Sequence, residues 1–383
     1  MSHPIIIIGS GLAAYNLARE LRKLDTATPL TVISRDHAGF YSKPMLSNAL
    51  AGNKSIQQLV MKSAETMASE LNATILAHTE ISAIDAAAQT VTINDGRVLP
   101  YRDLVLALGA DPIRLPLSGN GAAGVMSVND LDDFAKFSAA LEGVKTVAIL
   151  GAGLIGCEFA NDLLARGIKP VVLDPSNWPL SRLLPAEAGE RLAAKLTEAG
   201  VEFKMGVSAS AVDAIEQGYA LTLSDGSIVT ADLVLSAVGL RSRTQLAAAA
   251  GLTINRGIVV DRQLQSSAAH IYAVGDCAEV AGLTLPFVLP IMQQARALAA
   301  TLAGTPTVVK YPAMPVVVKT PACPTVVAPP AIGAEGDWQV EIADDGITAR
   351  FVGSADELLG FALIGAATSQ RQAMAQQLPP VLV

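Results

Sequence analysis

The feature that most narrows the folds open to this chain is a glycine loop that occurs twice in the same setting. The apolar run Ile5 to Ile8 leads straight into Gly9-Ser10-Gly11-Leu12-Ala13-Ala14. Residues 146–150 lead in the same way into Gly151-Ala152-Gly153-Leu154-Ile155-Gly156. Each loop is followed by an Ala/Leu-rich helical stretch, over 15–23 and through 165. A second apolar run then follows, at 30–33 and 170–173. Strand, glycine turn, helix and strand together form the nucleotide-binding unit of a parallel sheet. The first glycine permits the tight turn and the second lets the backbone approach a pyrophosphate. The third small residue lets helix and strand pack closely. The free N–H groups and partial positive charge at the helix start then hold the diphosphate. A single such loop reads equally well as a plain strand-to-helix turn. Two of them, each between strands, point to two dinucleotides.

The downstream pieces recur as well. Asp103-Leu-Val-Leu-Ala-Leu-Gly109 matches Asp232-Leu-Val-Leu-Ser-Ala-Val-Gly239, and each follows a hairpin signal, Asn94-Asp-Gly96 or Ser224-Asp-Gly226. A third apolar run, residues 270–274, ends in Gly275-Asp276, with a helical stretch over about 289–302. It reads as the missing end of the first domain. Beyond Gly304 the prolines cluster, at 306, 312, 315, 321, 324, 329 and 330, and strands alternate with turns to about Leu363. The expected architecture is α/β: two Rossmann-like dinucleotide-binding domains, the second inserted in the first, plus a small α+β C-terminal domain. The expected boundaries are 1–115 with 245–305, then 116–244, then 306–383.

The two loops differ at their far ends. The first opens the chain, as is common at sites for flavin adenine dinucleotide (FAD), and its second strand runs into Ser34-Arg35-Asp36. Asp36, or the backbone around Ser34 and Arg35, is placed to meet a ribose; a solvated loop acid is the other reading of Asp36. The second strand after the second loop ends in Asp174. An acid there accepts from both ribose hydroxyls and repels a 2′-phosphate, which favours NADH over NADPH. The alternative is that Asp174 only starts the Asp-Pro turn.

Composition removes several other classes. There are 27 Lys+Arg against 35 Asp+Glu, a net charge of −8, with no basic run, so no nucleic-acid partner is expected. Three cysteines (157, 277 and 323) without a C-x-x-C pair, and four scattered histidines, give neither a disulfide framework nor a metal site. The mean hydropathy of +0.42 is high. No stretch reaches the roughly 18 uncharged apolar residues of a membrane span, so no membrane insertion is expected and the excess is ascribed to buried parallel strands. The opening segment has no basic start followed by a long apolar run, so a cytoplasmic location is expected.

These loops, with Gly239 and Gly275-Asp276, resemble the FAD-dependent pyridine-nucleotide oxidoreductase family of glutathione-reductase-like fold. More specific segments carry the resemblance further: Tyr41-Ser-Lys-Pro-Met-Leu-Ser47, Gly151 to Asp162, Asn255-Arg-Gly-Ile-Val-Val-Asp261 and Lys319-Thr-Pro-Ala-Cys-Pro324. The resemblance implies non-covalent FAD, with Gly9, Ser10, Gly11, Leu12 and Ala14 at its diphosphate. It places Ser34 and Arg35 at the adenosine and the backbone of Ile81 at the adenine. Asp276 takes a ribityl hydroxyl, and Val288 and Lys319 lie near the flavin ring; core packing is the other reading of Val288. Gly151, Gly153, Leu154, Ile155, Gly156 and Asp174 are the implied NADH site. Lys43 is implied to meet Glu158 beside the flavin, where the pair either positions the nicotinamide or only ties two domains together.

Relatives that reduce disulfides carry a cysteine pair in the segment after the flavin's second strand, and peroxidase or oxidase relatives carry one cysteine there. Residues 40–47 of this chain contain none. Cys157 and Cys277 read as small buried packing residues. Electrons must then leave the flavin directly for an outside acceptor. The resemblance implies rubredoxin, two per NADH, supplying an alkane hydroxylase. Another iron–sulfur carrier, or an NADH-sensing flavoprotein without turnover, is the alternative. Because rubredoxins are typically acidic, a local basic rim is expected, with Arg296, Lys310 and Lys319 as candidates. Without a cysteine relay from a partner subunit, a monomer is permitted.

Overall fold

The computed structural model describes residues 3–383; Met1 and Ser2, with which the expected first domain begins, lie outside the described residues. The chain forms two compact units. One holds the chain up to Lys43, with Gln57–Asp111 and Leu240–Tyr311; the other holds Pro44–Ile56, Pro112–Gly239 and Pro312–Val383.

The first unit is organised by a five-stranded sheet in the order Ile271–Ala273, Asp103–Leu106, Ile5–Ile8, Leu30–Ile33, Thr74–Leu76, parallel throughout. A parallel sheet covered on both faces has no polar side, which is why Ile5, Ile6 and Ile7 run unbroken and are fully buried. Each such side chain contributes about 1.5–3 kcal/mol over its exposed state. Helix Leu12–Leu24 buries Ala14, Tyr15, Leu17, Ala18 and Leu21, a stripe at helical spacing, and packs on helix Val288–Leu302. It starts at Leu12, three residues before the expected stretch 15–23, because Gly11 stays extended (ψ −173°) as the N-cap and the last residues of the loop pattern are already helical. The strand at 271–273 joins the sheet beside Asp103–Leu106, completing the first domain from a distant part of the chain, as expected. A three-stranded antiparallel sheet, Ile81–Asp85, Thr90–Ile93 and Val98–Pro100, turns at Asn94-Asp-Gly96. There Gly96 takes φ +88° and Asp95 accepts from Arg97 N at 3.0 Å.

The second unit repeats the plan. Its parallel sheet has the order Glu202–Met205, Lys169–Asp174, Thr146–Leu150, Leu233–Ser236. Beside it in sequence lies the antiparallel trio Ala209–Ala214, Tyr219–Leu223, Ile228–Ala231, whose last turn repeats the first unit's: Gly226 at φ +83°, with Asp225 accepting from Ser227 N at 2.9 Å. The C-terminal part is a five-stranded antiparallel sheet in the order Val316–Val318, Thr325–Ala328, Leu358–Gly365, Gly346–Val352, Asp337–Ile342. After it come a 3-10 turn and the short helix Arg371–Ala375, whose Met374 packs with Val326, Phe361 and Leu363. Helix Ala186–Glu198 lies on the strand Leu358–Gly365, and the Arg191 guanidinium donates to the Ala343 and Asp344 carbonyls at 3.2 and 3.1 Å. Among the described residues no helix is long and apolar enough to cross a membrane.

Candidate active site

Each unit carries one of the two glycine loops. In the first, Gly9 takes φ +119°, and a Cβ there would lie 2.3 Å from the Ala107 carbonyl oxygen. Only glycine both adopts that angle and lets the loop pass so close to the neighbouring strand end. Helix Leu12–Leu24 begins with neither a capping side chain nor an acid in its first turn. Helix Leu154–Leu164 of the second unit begins in the same way, with Gly153 as its N-cap. Helices Ala64–Leu71 and Leu131–Ala140, by contrast, are capped by Ser63 and Asp130. The first-turn N–H groups at both glycine loops therefore keep donor capacity. A Cβ added at Gly11 or Gly153 would meet no protein atom within 4 Å. Both features fit a dinucleotide diphosphate at each loop.

The residues expected at FAD gather around the first loop. Ser34, buried, donates to Asp36 Oδ1 at 2.7 Å, and the single Ser10 hydroxyl proton is shared between Ser34 Oγ at 2.8 Å and Asp36 Oδ1 at 3.1 Å. Ala38 N adds a third bond to the same oxygen at 2.9 Å. Asp36 is thus half-buried and bound, not a solvated loop acid. Burial opposes its ionisation, but the bonds from Ser34, Ala38 and Ser10 and the charge of His37 outweigh it and hold its pKa below the ordinary carboxylate value. His78 N and Thr79 N donate to the Asp36 and Ser34 carbonyls, at 2.8 Å each, which brings the start of the strand at Ile81 alongside. Arg35 is exposed.

The Gly275-Asp276 turn reaches the same loop. Gly275 has φ +77° and sits so near helix Leu12–Leu24 that a Cβ would lie 2.8 Å from Ala13 Cβ. Its N–H donates to Gln294 Oε1 at 2.6 Å, and Gln294 Nε2 donates to Tyr311 Oη at 2.8 Å. Asp276 is half-buried, and burial raises its pKa against the charges of Lys43 and Arg243. Arg243 itself donates to Asp111 at 2.6 Å and to the Leu108 carbonyl at 2.8 Å. Val288 opens helix Val288–Leu302 with 40% exposure, which corrects the core-packing reading. Gln294 and Arg243 were not singled out from sequence. Gln294 had one legible signal, a polar residue on an otherwise apolar helix face.

In the second unit, Gly151 takes φ +104°, and a Cβ at Gly156 would lie 1.9 Å from the Gly151 carbonyl oxygen. Leu154 is half-buried and Ile155 is exposed. Asp174 accepts from Ala152 N and from Ser176 N, at 2.8 Å each, so it both ties down the glycine loop and starts the Asp-Pro turn. One turn into the helix, the buried Glu158 carboxylate accepts from Ser47 Oγ at 2.6 Å and from Lys319 N at 3.1 Å, and it also pairs with the Lys319 ammonium. The charge of Lys319, one of the three candidates for a basic rim, is therefore already matched; Arg296 and Lys310 are exposed.

Cys157, Cys277 and Cys323 are free and buried. Burial raises all three thiol pKa values, that of Cys277 to about 11. Thiols in this state are poor nucleophiles and poor redox relays.

Residues 3–300 match the model of the pyridine nucleotide-disulphide oxidoreductase family. The chain belongs to that family. Residues 308–378 further match the rubredoxin binding C-terminal domain. Two relatives bear the name rubredoxin-NAD(+) reductase. That of Alcanivorax borkumensis is 48% identical over 99% of this chain and 100% of its own length. That of Acinetobacter baylyi is 45% identical over 100% of this chain and 99% of its own. The crystal structure of a ferredoxin reductase from Rhodopseudomonas palustris shares the fold, with a TM-score of 0.89 at 24% identity, covering 99% of this chain and 96% of that one. The cysteine pair that would relay electrons to a disulfide is missing from residues 40–47.

Proposed function

We propose that the protein is an NADH:rubredoxin oxidoreductase with non-covalently bound FAD, acting in the cytoplasm and supplying an alkane hydroxylase through rubredoxin. The observation that carries this reading is that one chain matches the oxidoreductase family over 3–300 and a rubredoxin-binding domain over 308–378. In this reading, residues 1–115 and 245–305 hold FAD, 116–244 hold NADH, and 306–383 serve the acceptor. A monomer suffices.

FAD, when bound, supplies the conversion of one hydride into two single electrons. The chain's own residues bind and orient. The N–H groups of Ser10, Gly11, Leu12 and Ala14 hold its diphosphate, at a turn that Gly9 makes while its own N–H is bound to Ile33 O; Ser34, Arg35 and the Ile81 backbone hold its adenosine. Asp276 accepts a ribityl hydroxyl, and Lys43, Val288 and Lys319 border the ring. Gly151, Gly153, Leu154, Ile155 and Gly156 take the NADH diphosphate. Asp174 accepts from the adenosine ribose, since each of its oxygens keeps accepting capacity beside its one N–H bond. Glu158, paired with Lys319, and Lys43 orient the nicotinamide, so that the protein's contribution is placement and not proton transfer. The balance is one NADH and two oxidised rubredoxins giving NAD+, one proton and two reduced rubredoxins.

The test is anaerobic. Catalytic amounts of the yellow holoprotein with NADH should bleach the visible band of rubredoxin at two per NADH, with NADPH a poor donor. A flavin that NADH reduces while rubredoxin stays oxidised would remove the acceptor from this reading and leave the family and both cofactors standing.

A further inference from the structure

Helix Leu154–Leu164 carries three neighbouring polar side chains, and each holds a different partner. Glu158 holds Ser47 and Lys319, as described. Asn161 Oδ1 accepts from Ala322 N at 3.0 Å. Asp162, only 2% exposed, accepts from Leu50 N at 2.8 Å and from Ala51 N at 2.9 Å, one bond to each carboxylate oxygen. Burying a carboxylate is costly unless it is hydrogen-bonded, and here two backbone N–H groups meet the need. Burial pushes the Asp162 pKa up, while those two bonds pull it down.

These contacts close a ring. Glu158 and Asp162 stand four residues apart and so share one helix face. Ser47 lies in the 3-10 turn Lys43–Asn48, and Leu50 and Ala51 follow it directly. Asp162 thus pins the chain just after the turn, and the pinned turn aims the Ser47 hydroxyl at Glu158. Lys319 N fixes Glu158 Oε1, but on Oε2 the Lys319 ammonium alone would hold loosely, being a point charge on a flexible stem with 30% side-chain exposure. Ser47 has one short rotor and is 2% exposed, so it adds a fixed direction.

We infer that Ser47 and Asp162 are positioning residues for the reaction with NADH. Asp162 docks the segment at Leu50–Ala51, and Ser47 thereby locks the Glu158 carboxylate in the orientation the nicotinamide needs. The inference rests on the reading of Glu158 given above.

The measurement is the anaerobic stopped-flow rate of flavin reduction in the holoprotein at saturating NADH. Ser47→Ala lowers this limiting rate roughly tenfold, one hydrogen bond's worth at about 1.4 kcal/mol, with FAD content and the NADH half-saturation point unchanged. Ser47→Thr, which keeps the hydroxyl, retains the rate. Asp162→Asn, which puts an amide donor against one of the two N–H groups, moves the rate in the same direction as Ser47→Ala. In a Glu158→Gln background, Ser47→Ala adds nothing further. If Glu158→Gln is slow and Ser47→Ala is not, the inference fails and the role of Glu158 stands. If Glu158→Gln reduces at the parent rate, that role fails and takes the inference with it. If Ser47→Ala lowers only Tm or FAD content, while the remaining holoprotein reduces at the parent rate, Ser47 is structural and the inference is overturned.

Discussion

The two glycine loops are nearly superimposable as hydrogen-bond diagrams, yet they are locked in different ways. Gly9 N donates to Ile33 O and Gly151 N to Leu173 O, both at 2.8 Å. Ala107 N donates to Ile8 O at 2.9 Å and Ala237 N to Leu150 O at 2.8 Å. Gly11 and Gly153 are N-caps with φ and ψ within a degree of each other (−74°, −173° and −75°, −172°). The difference lies in the acid after each second strand. Asp36 is held mainly by two hydroxyls, with its bonds gathered on one oxygen. Asp174 binds the loop backbone itself, with one N–H on each oxygen. The third small residue also differs: the fully buried Ala14 fits in the first loop, where Gly156 in the second has no room for a methyl group. One backbone solution therefore serves two ligands, and the choice between them is left to side chains at the loop's rim.

The sharpest way to test that equivalence is to fill each cradle. Gly11→Val and Gly153→Val place a side chain where the protein leaves space, so both should fold with Tm near the parent's. Gly11→Val should weaken FAD binding on the order of 100-fold, about 2.7 kcal/mol, and yield colourless protein. Gly153→Val should keep its FAD and raise the KM for NADH by a similar factor. Loss of FAD from Gly153→Val would break the assignment of one cofactor to each loop. FAD content by absorbance and NADH titration read both outcomes.

A smaller effect separates the two acids. Asp174→Ala should lower the ratio of kcat/KM for NADH over NADPH roughly tenfold, equivalent to 1.4 kcal/mol. The lost bond to Ala152 N should also cost about 1 kcal/mol of stability. Asp36→Asn should leave that ratio unmoved. An unchanged ratio in Asp174→Ala would reduce Asp174 to a turn residue.

The smallest effect is on acid stability. Because the Asp36 pKa is held below the ordinary carboxylate value, its contribution is complete above about pH 4 and is lost as pH falls through the depressed value. Asp36→Asn should therefore be less stable than the parent at neutral pH, and the gap should narrow on acidification. Urea midpoints measured from pH 7 down to pH 3 would show it; a gap that stays constant would mean that the carboxylate charge is not what holds the loop.

Much of this was legible in the chain because the signals are local. Parallel strands buried on both faces have to be unbroken apolar runs, and Ile5–Ile8 and Thr146–Leu150 are such runs. A strand that turns at once into a helix needs a residue free to take positive φ, so Gly9 and Gly151 mark the loops without any knowledge of the partners. The absence of cysteine from residues 40–47, where the disulfide reductases it resembles carry a pair, pointed to an outside acceptor. Helix starts were less legible, since Leu12 to Ala14 belong to the glycine-loop pattern and to the helix at once.

What only the tertiary structure decided is which distant side chains meet. Glu158 takes Ser47 and Lys319, 111 and 161 residues away, and Asp162 takes Leu50 N, 112 residues away. Gln294 reaches back 19 residues to the Gly275 turn. No periodicity encodes such pairs, because they follow from how finished elements pack. A repeat in sequence can specify two binding loops, since each is built from neighbours in the chain. The carboxylates around them acquire their roles only when packing takes them out of water and brings them donors.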